Sequence, residues 1–186
     1  ILDTVYAAIL AKDTPRLIMN FATAELVKVA ANSFLATKIS FINAMAEISD
    51  VTGANVTQLA DAIGYDARIG RRFLNAGIGF GGGCLPKDIR GFVARAEELG
   101  VGHSLAFLKD VDAINLRRRS RVVDILTEEL GSLQGTQIAV WGASFKPDSD
   151  DIRDSPALDI AESLARAGAT VISADPEGWK PASARI

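Results

Sequence analysis

Residues 23–52 read TAELVKVAANSFLATKISFINAMAEISDVT, a stretch with neither proline nor glycine. Leu26, Ala30, Phe34, Ile42, Met45 and Ile48 recur in it at a helical period, and Gly53 follows as a stop signal. At 1.5 Å of rise per residue, one unbroken helix over this stretch would be about 45 Å long. That length suits a spine that connects domains or pairs two copies of a chain, and the rest of the sequence is arranged around it.

Upstream, Thr4 to Lys12 reads as the last turns of a helix, and Arg16 to Phe21 as a short apolar strand bounded by Pro15 and Asn20. Residues 1–22 therefore read as the end of a preceding domain. The sequence starts at Ile1 inside an apolar helical pattern and closes on Trp179 to Ile186, a tail without periodicity, so a piece of a longer protein is the expectation.

Downstream, Val56 to Ile63 forms a short helix, with Asn55 as cap, Gln58 at the reciprocal capping position and Gly64 at its end. The run Gly77-Ile78-Gly79-Phe80-Gly81-Gly82-Gly83 holds too many glycines for a stable helix or strand, and it leads straight into Cys84. Pro86 suits the first turn of a third helix ending near Leu99, where the N–H that proline lacks is unpaired anyway. A fourth helix runs from about Ser104 to Leu130, and Gly131 and Gly135 mark a boundary. Residues 23–131 thus form an all-helical unit.

The period then changes. Gln137 to Trp141 is a strand, Ser155-Pro156 a cap and first helical residue, Ala157 to Ala167 a helix stopped by Gly168, and Thr170 to Ala174 a second strand. Two parallel strands do not make a self-sufficient sheet, so residues 132–186 read as part of a larger α/β domain.

A hydrophobic share of 48% over 186 residues is ample for a packed core. The net charge of -3 and a pI near 5.2 give no electrostatic footprint for nucleic acid. One cysteine forms no internal disulfide, and neither a leader nor an apolar run of bilayer length is present, so no membrane partner and a cytoplasmic location are expected.

Cys84 is the residue most suited to chemistry. At a helix start it faces unpaired backbone N–H groups and the positive end of the helix dipole, which favour a thiolate nucleophile. The alternative is a small buried hydrophobe. Asp88 lies four residues on, one turn away on the same face, and Lys87 adds positive potential. Lys28 and Asn32 are likewise four apart; an ammonium beside an amide can receive a developing oxyanion, although the same pair also fits an ordinary surface.

Other features read as structural. Arg117, Arg118, Arg119 and Arg121 share their helix with Asp110, Asp112, Asp124, Glu128 and Glu129, as on a solvated or salt-bridged face. His103 reads as a helix-start residue without a chemical role. Asp148, Asp150, Asp151 and Asp154 form a solvated acidic turn with Ser155 as cap rather than a metal site.

Three stretches together resemble the UDP-glucose/GDP-mannose dehydrogenase family. They are Glu25-Leu-Val-Lys28-Val-Ala-Ala-Asn32 with Ser33 to Ala36, then Gly79 to Asp88, then Phe145-Lys146-Pro147 with Asp150 to Pro156, in family order and with family-like gaps. The resemblance covers about residues 1–176. It implies an α/β protein: an all-helical central dimerisation domain (23–131), followed by a partial Rossmann-like α/β nucleotide-sugar-binding domain (132–186) and preceded by the tail of an NAD-binding domain (1–22). It also implies an NAD-dependent, two-step oxidation of a sugar C6 alcohol to the acid through a thiohemiacetal and a thioester on Cys84. Lys28 and Asn32 match the groups that steady the C6 oxygen, and Asp88 the carboxylate that orients water.

By the same resemblance, Asn75, Ala76, Gly77, Ile78, Gly79, Phe80 and Gly81 wrap the sugar nucleotide, with Phe80 as a wall. Phe145 and Lys146 bind its nucleotide, Lys87 and Arg153 approach NAD, and Arg68 reaches the ligand in the partner of a homodimer built on the long helix. Some of the glycines serve the turn itself in either reading. One departure stands out: the position before the cysteine is more often Ser in this family, and here it is Gly83.

Within the family resemblance, the similarity of residues 24–43 and 63–69 implies UDP-glucose as substrate, with GDP-mannose or a UDP-N-acetylhexosamine as alternatives. A non-catalytic dimerisation and nucleotide-sugar-binding module is the alternative from another class. No Gly-x-Gly-x-x-Gly follows a strand with an acidic residue about 20 positions on, so this chain alone is expected to turn over no substrate.

Overall fold

The computed structural model describes residues 1–183. Two single-turn helices, α1 (Leu2–Val5) and α2 (Ala7–Leu10), precede α3 (Phe21–Thr52). The continuous helix expected over Thr4 to Lys12 is broken at Tyr6. The strand expected over Arg16 to Phe21 is absent: no described strand lies beside it to pair its backbone, and Asn20 caps α3 by accepting from the Thr23 N–H at 2.8 Å. At the other end Gly53 takes a left-handed φ of 73°, and its N–H closes on the Ser49 carbonyl.

α3 has two unlike faces. Its buried side is mostly small or polar, with Ser33, Ala36, Ser40, Asn43, Ala46 and Ser49 beside a single large residue, Ile42. Small residues let other helices approach closely, and the Ser40 hydroxyl donates to the Val111 carbonyl at 2.8 Å. The large apolar side chains Val27, Phe34, Phe41 and Ile48 are exposed instead. Spaced by seven, they form one stripe along the outside of the helix.

α4 (Val56–Gly64) starts where the Asn55 side chain accepts from the N–H groups of Thr57 and Gln58, each at 3.0 Å, and it packs Ala60 against Ile42 and Leu74. α5 (Leu85–Glu98) carries Pro86 in its first turn. A 3₁₀ turn over Gly102–Leu105, rather than the expected first turn of helix, leads into α6 (Ala106–Leu130). α3, α5 and α6 enclose the main core of Ala36, Phe80, Ile89, Val93, Leu108 and Val111.

α6 serves both halves of the molecule. Beyond the part that lines the helical core, Val122, Val123 and Leu126 pack with Leu133, Ile160, Leu164 and Ala169. These belong to a β-α-β unit of β1 (Gln137–Trp141), α7 (Pro156–Arg166) and β2 (Thr170–Ala174). The strands are parallel, in register from Gln137 opposite Thr170 to Trp141 opposite Ala174. α7 covers one face, and on the other Trp141 is 89% exposed. The chain is thus an α/β protein, rich in helix, with a small parallel sheet.

The tail, expected to lack regular structure, makes one helical turn, α8 (Trp179–Ala182), while residues 184–186 lie outside the described ones. Among the described residues no helix is long and apolar enough to cross a membrane.

Candidate active site

Cys84 is the N-cap residue of α5 and is exposed. Its carbonyl accepts from the Asp88 N–H at 2.8 Å, which fixes Asp88 in the first turn of the helix with its side chain toward α3. There Asp88 Oδ2 accepts from Lys28 Nζ at 2.9 Å and from Asn32 Nδ2 at 2.7 Å, while Lys87 Nζ stands 3.6 Å from Oδ1. The i, i+4 spacing of Lys28 and Asn32 is what brings both donors to one oxygen.

Electrostatics follow from this geometry. The Lys28 hydrogen bond, helped by Asn32, holds the buried Asp88 carboxyl below the ordinary carboxylate range against the opposing effect of desolvation. Asp88 raises Lys28 in turn, and a charge on Cys84 acts on it in the same direction. The corner therefore combines an exposed thiol, an ionised carboxylate and two donors. Asp88 and Lys87 also border a groove of about 860 Å³ between α3 and α5, walled by Leu26, Val29, Phe92 and Leu99.

The glycine loop meets protein over most of its length. A Cβ on Gly79 would lie 2.7 Å from Asn115 Oδ1, one on Gly81 would collide with the Asp154 carbonyl, one on Gly82 would lie 2.6 Å from the Phe145 ring, and one on Gly83 2.6 Å from the Arg153 guanidinium carbon. The Gly82 N–H donates to the Arg153 carbonyl at 2.8 Å. Glycines 81–83 thus form a seam on which the segment between β1 and α7 lies, bringing the second and third sequence stretches together.

Phe80 is tied from below. Its N–H donates to Asn115 Oδ1 at 2.7 Å, and its carbonyl accepts from Asn115 Nδ2 and Arg119 Nη2, each at 3.0 Å. Arg119 Nη1 also reaches Asp154 at 2.8 Å and Asp159 of α7. The solvated or salt-bridged face expected for the arginine run is present in its ion pairs, and the burial of Arg119 is what departs from it. Arg117 pairs with Glu47 of α3 and Arg121 with Glu128, but Arg119 is buried. The acidic turn is likewise not simply solvated, since Asp154 takes Arg119 and Asp151 takes Arg153, which holds the Asp151 carboxyl at about 2.

Asn75, Ala76, Gly77 and Ile78 form an exposed rim. Asn43 Oδ1 accepts from the Gly77 N–H at 2.8 Å, Arg118 Nε donates to the Gly77 carbonyl at 3.1 Å, and Arg71 Nη1 donates to Asn75 at 2.8 Å. Phe80 points into the core, Lys146 is exposed above the Phe145 ring, and Lys87 and Arg153 are exposed beside the cysteine helix. Arg68 is not drawn to this group: its guanidinium is held by Asp66, and its loop is fastened to α3 where Lys38 donates to the carbonyls of Ile69 and Gly70.

Several residues that shape the site were not singled out from sequence. Leu108, Val111, Asn115 and Arg119 all lie on the buried face of α6, so the apolar stripe itself marked Asn115 and Arg119 as inward. Asp175, just after β2, accepts from the N–H groups of Ala143, Ser144, Glu177 and Gly178, which together hold it far below the usual carboxylate range. Nothing in the residues next to Asp175 signals that it closes two strand ends, because Ala143 and Ser144 lie more than 30 positions away.

Comparison with known proteins agrees with this arrangement. Residues 22–117 match the central domain of the UDP-glucose/GDP-mannose dehydrogenase family, and residues 139–185 match its UDP-binding domain. A UDP-glucose 6-dehydrogenase of Bacillus subtilis is 46% identical over 165 residues, 89% of this chain and 35% of that protein. One from Rickettsia typhi is 42% identical over 187 residues, all of this chain and 43% of the relative. The structure of a UDP-glucose dehydrogenase from Pyrobaculum islandicum superposes with a TM-score of 0.93 at 40% identity, over 98% of this chain and 41% of that one. A UDP-D-ManNAc dehydrogenase from Pyrococcus horikoshii gives 0.72 at 29% identity, over 86% and 37%. The chain spans well under half the length of each of these relatives.

Proposed function

The chain belongs to the UDP-glucose/GDP-mannose dehydrogenase family, and from that premise we propose that its Cys84 corner carries the covalent chemistry of a nucleotide-sugar dehydrogenase that oxidises UDP-glucose to UDP-glucuronate. The observation that carries this reading is the exposed thiol at the start of α5, one turn from an ionised Asp88 bonded to Lys28 and Asn32. UDP-glucose is preferred among the nucleotide sugars because a UDP-glucose dehydrogenase structure is 40% identical, against 29% for the UDP-D-ManNAc enzyme.

NAD is the cofactor of this reading. Lys87 and Arg153, exposed cations beside the cysteine helix, suit its pyrophosphate. The loop after β1 does not suit it, because the Ala143 and Ser144 N–H groups are both donated to Asp175. When bound, NAD would supply a hydride acceptor for the sugar C6 at both oxidation stages.

The chain's own residues do the rest. The Cys84 sulfur adds to the aldehyde carbon, and the electron pair of its C=O bond moves to oxygen. Lys28 has three N–H donors and Asn32 two, and each uses one on Asp88, so both retain a donor for that oxygen. At the thioester stage Asp88, ionised, accepts a proton from the attacking water; the C–S bond breaks, restoring the thiolate and releasing the carboxylic acid, which gives its proton to solvent. The exposed rim Asn75 to Ile78 would line the sugar nucleotide, with Lys146 for phosphate and Phe145 for the base. Gly79, Phe80 and Gly81 frame that rim from within.

Residues 1–22, 23–131 and 132–186 then correspond to the end of an NAD-binding domain, a helical dimerisation domain and a sugar-nucleotide domain. The stripe Val27, Phe34, Phe41 and Ile48 supports pairing of α3 with a second copy, which would carry the exposed Arg68 toward the partner's site. Replacing Phe34 and Phe41 together by Glu should leave a monomer in sedimentation; an unchanged dimer would rule the stripe out as the interface.

Alkylation tests the catalytic reading cleanly, because Cys84 is the single cysteine. Iodoacetamide should modify it rapidly, and UDP-glucose should protect it. A thiol that reacts sluggishly and is indifferent to UDP-glucose would instead favour a dimerisation and binding module without catalysis.

A further inference from the structure

Across the seam, the β1–α7 segment places a second charged pair beside the cysteine loop. Its backbone is fixed there by the Gly82 N–H to Arg153 carbonyl bond at 2.8 Å, and its side chain lies over the next residue, with the guanidinium carbon and Nη1 each 2.6 Å from where a Cβ on Gly83 would be. Gly83 is not among the glycines with positive φ, so its backbone conformation is open to any residue. What a side chain at 83 would meet is the Arg153 guanidinium.

Asp151 orients that guanidinium. Its Oδ1 accepts from Arg153 Nε at 2.9 Å and Oδ2 from Nη2 at 2.6 Å, so the fork is held in one plane. Nη1, the nitrogen lying over Gly83, is outside both bonds and has no hydrogen-bond partner among the described residues. The charged groups on the elements that meet at Cys84 are then Lys28 of α3, paired with Asp88 of α5, Lys87 of α5, and Arg153 paired with Asp151 in the β1–α7 segment. Lys28 and Arg153 each have a carboxylate partner, and Nη1 is the Arg153 nitrogen that lies outside its pair.

We propose that Arg153 is a positioning residue for the Cys84 thiolate, a second cation delivered to it from the other half of the molecule, and that the bare Cα of Gly83 is what admits it. Asp151 raises Arg153 first and most, and charge on Cys84 raises it further, as expected when the two are close. The inference rests on the reading of Cys84 as a nucleophile and adds to it a dependence on how the β1–α7 segment sits. A cofactor pyrophosphate that draws Arg153 away would lower thiolate character, so thiol reactivity and cofactor approach would be linked through one side chain.

The test is the pH dependence of iodoacetamide labelling of Cys84, with folding checked by circular dichroism. Arg153→Gln should move the midpoint to higher pH and slow labelling at pH 7 by about two- to fivefold, the range set by exposed charge pairs. Arg153→Lys should restore part of the rate. Gly83→Ala should act in the same direction by displacing a flexible, exposed side chain, and the double variant should lose no more than Arg153→Gln alone. An unchanged midpoint in Arg153→Gln, or additive losses in the double variant, would overturn the proposal. Protection of the wild-type thiol by UDP-glucose reads the substrate assignment separately, so either idea can fail while the other stands.

Discussion

At the Cys84 corner the buried charge is a carboxylate, Asp88, served by a largely exposed ammonium and an amide; at the glycine seam it is a guanidinium, Arg119, served by a carbonyl and two carboxylates from separate segments. Both charges are removed from water, and both are matched by several hydrogen bonds, as burial requires. They differ in what surrounds them. Lys28, the main partner of Asp88, is 63% exposed and can turn to a ligand, whereas Arg119 lies among groups that have already folded around it. The corner is therefore arranged to exchange partners, and the seam to keep them.

That contrast is broken most directly at Arg119. Arg119→Met strips Phe80, Asp154 and Asp159 of a shared cation and should cost about 3–5 kcal/mol in urea unfolding, the usual penalty for breaking a buried charge network. A loss below about 1 kcal/mol would place the seam with ordinary surface pairs.

Asp88→Asn should cost less, about 1–3 kcal/mol, because an amide oxygen in the place of Oδ2 can still accept both bonds and what is lost is the charge. Its pH dependence sharpens the comparison. Asp88 has a folded pKa below its unfolded value, so its stabilisation is complete above the ordinary carboxylate pKa and is lost as pH falls through the lower, folded one. The gap between wild type and Asp88→Asn should be flat from about pH 8 to 5 and shrink below about pH 4. A gap that shrank at neutral pH would mean that Asp88 is not held as the ion.

Lys28→Met should have the smallest effect on stability of the three, given the exposure of the ammonium. It should still weaken protection of Cys84 by UDP-glucose. An effect on stability as large as that at Arg119 would erase the distinction between corner and seam.

The helix ends were legible because they depend on a few adjacent residues. Asn55 and Ser155 cap helices, Gly53 and Gly131 end them, and Pro86 and Pro156 sit in first turns, whereas Asn20, read as a strand boundary, caps α3. The same local reasoning failed at Arg16 to Phe21, because a strand exists only through a partner that must be present to pair it. It also misjudged Arg119. Charge content along α6 suggested a wet face, but the stripe through Leu108, Val111 and Asn115 decides which way that position points.

By itself the sequence determined the order of elements from α3 to β2, the place of Cys84 at a helix start, and the pairing of Lys28 with Asn32 on one face, since each depends on neighbours within about one helical turn. Tertiary structure alone decided that both donors meet on Asp88, that glycines 81–83 receive Phe145, Arg153 and Asp154, and that Arg119 lies inside rather than out. These contacts join residues from 35 to 73 positions apart, from Arg119–Asp154 to Gly81–Asp154, and only packing brings such groups within reach. A glycine declares that space is needed there, and only the fold shows what fills it.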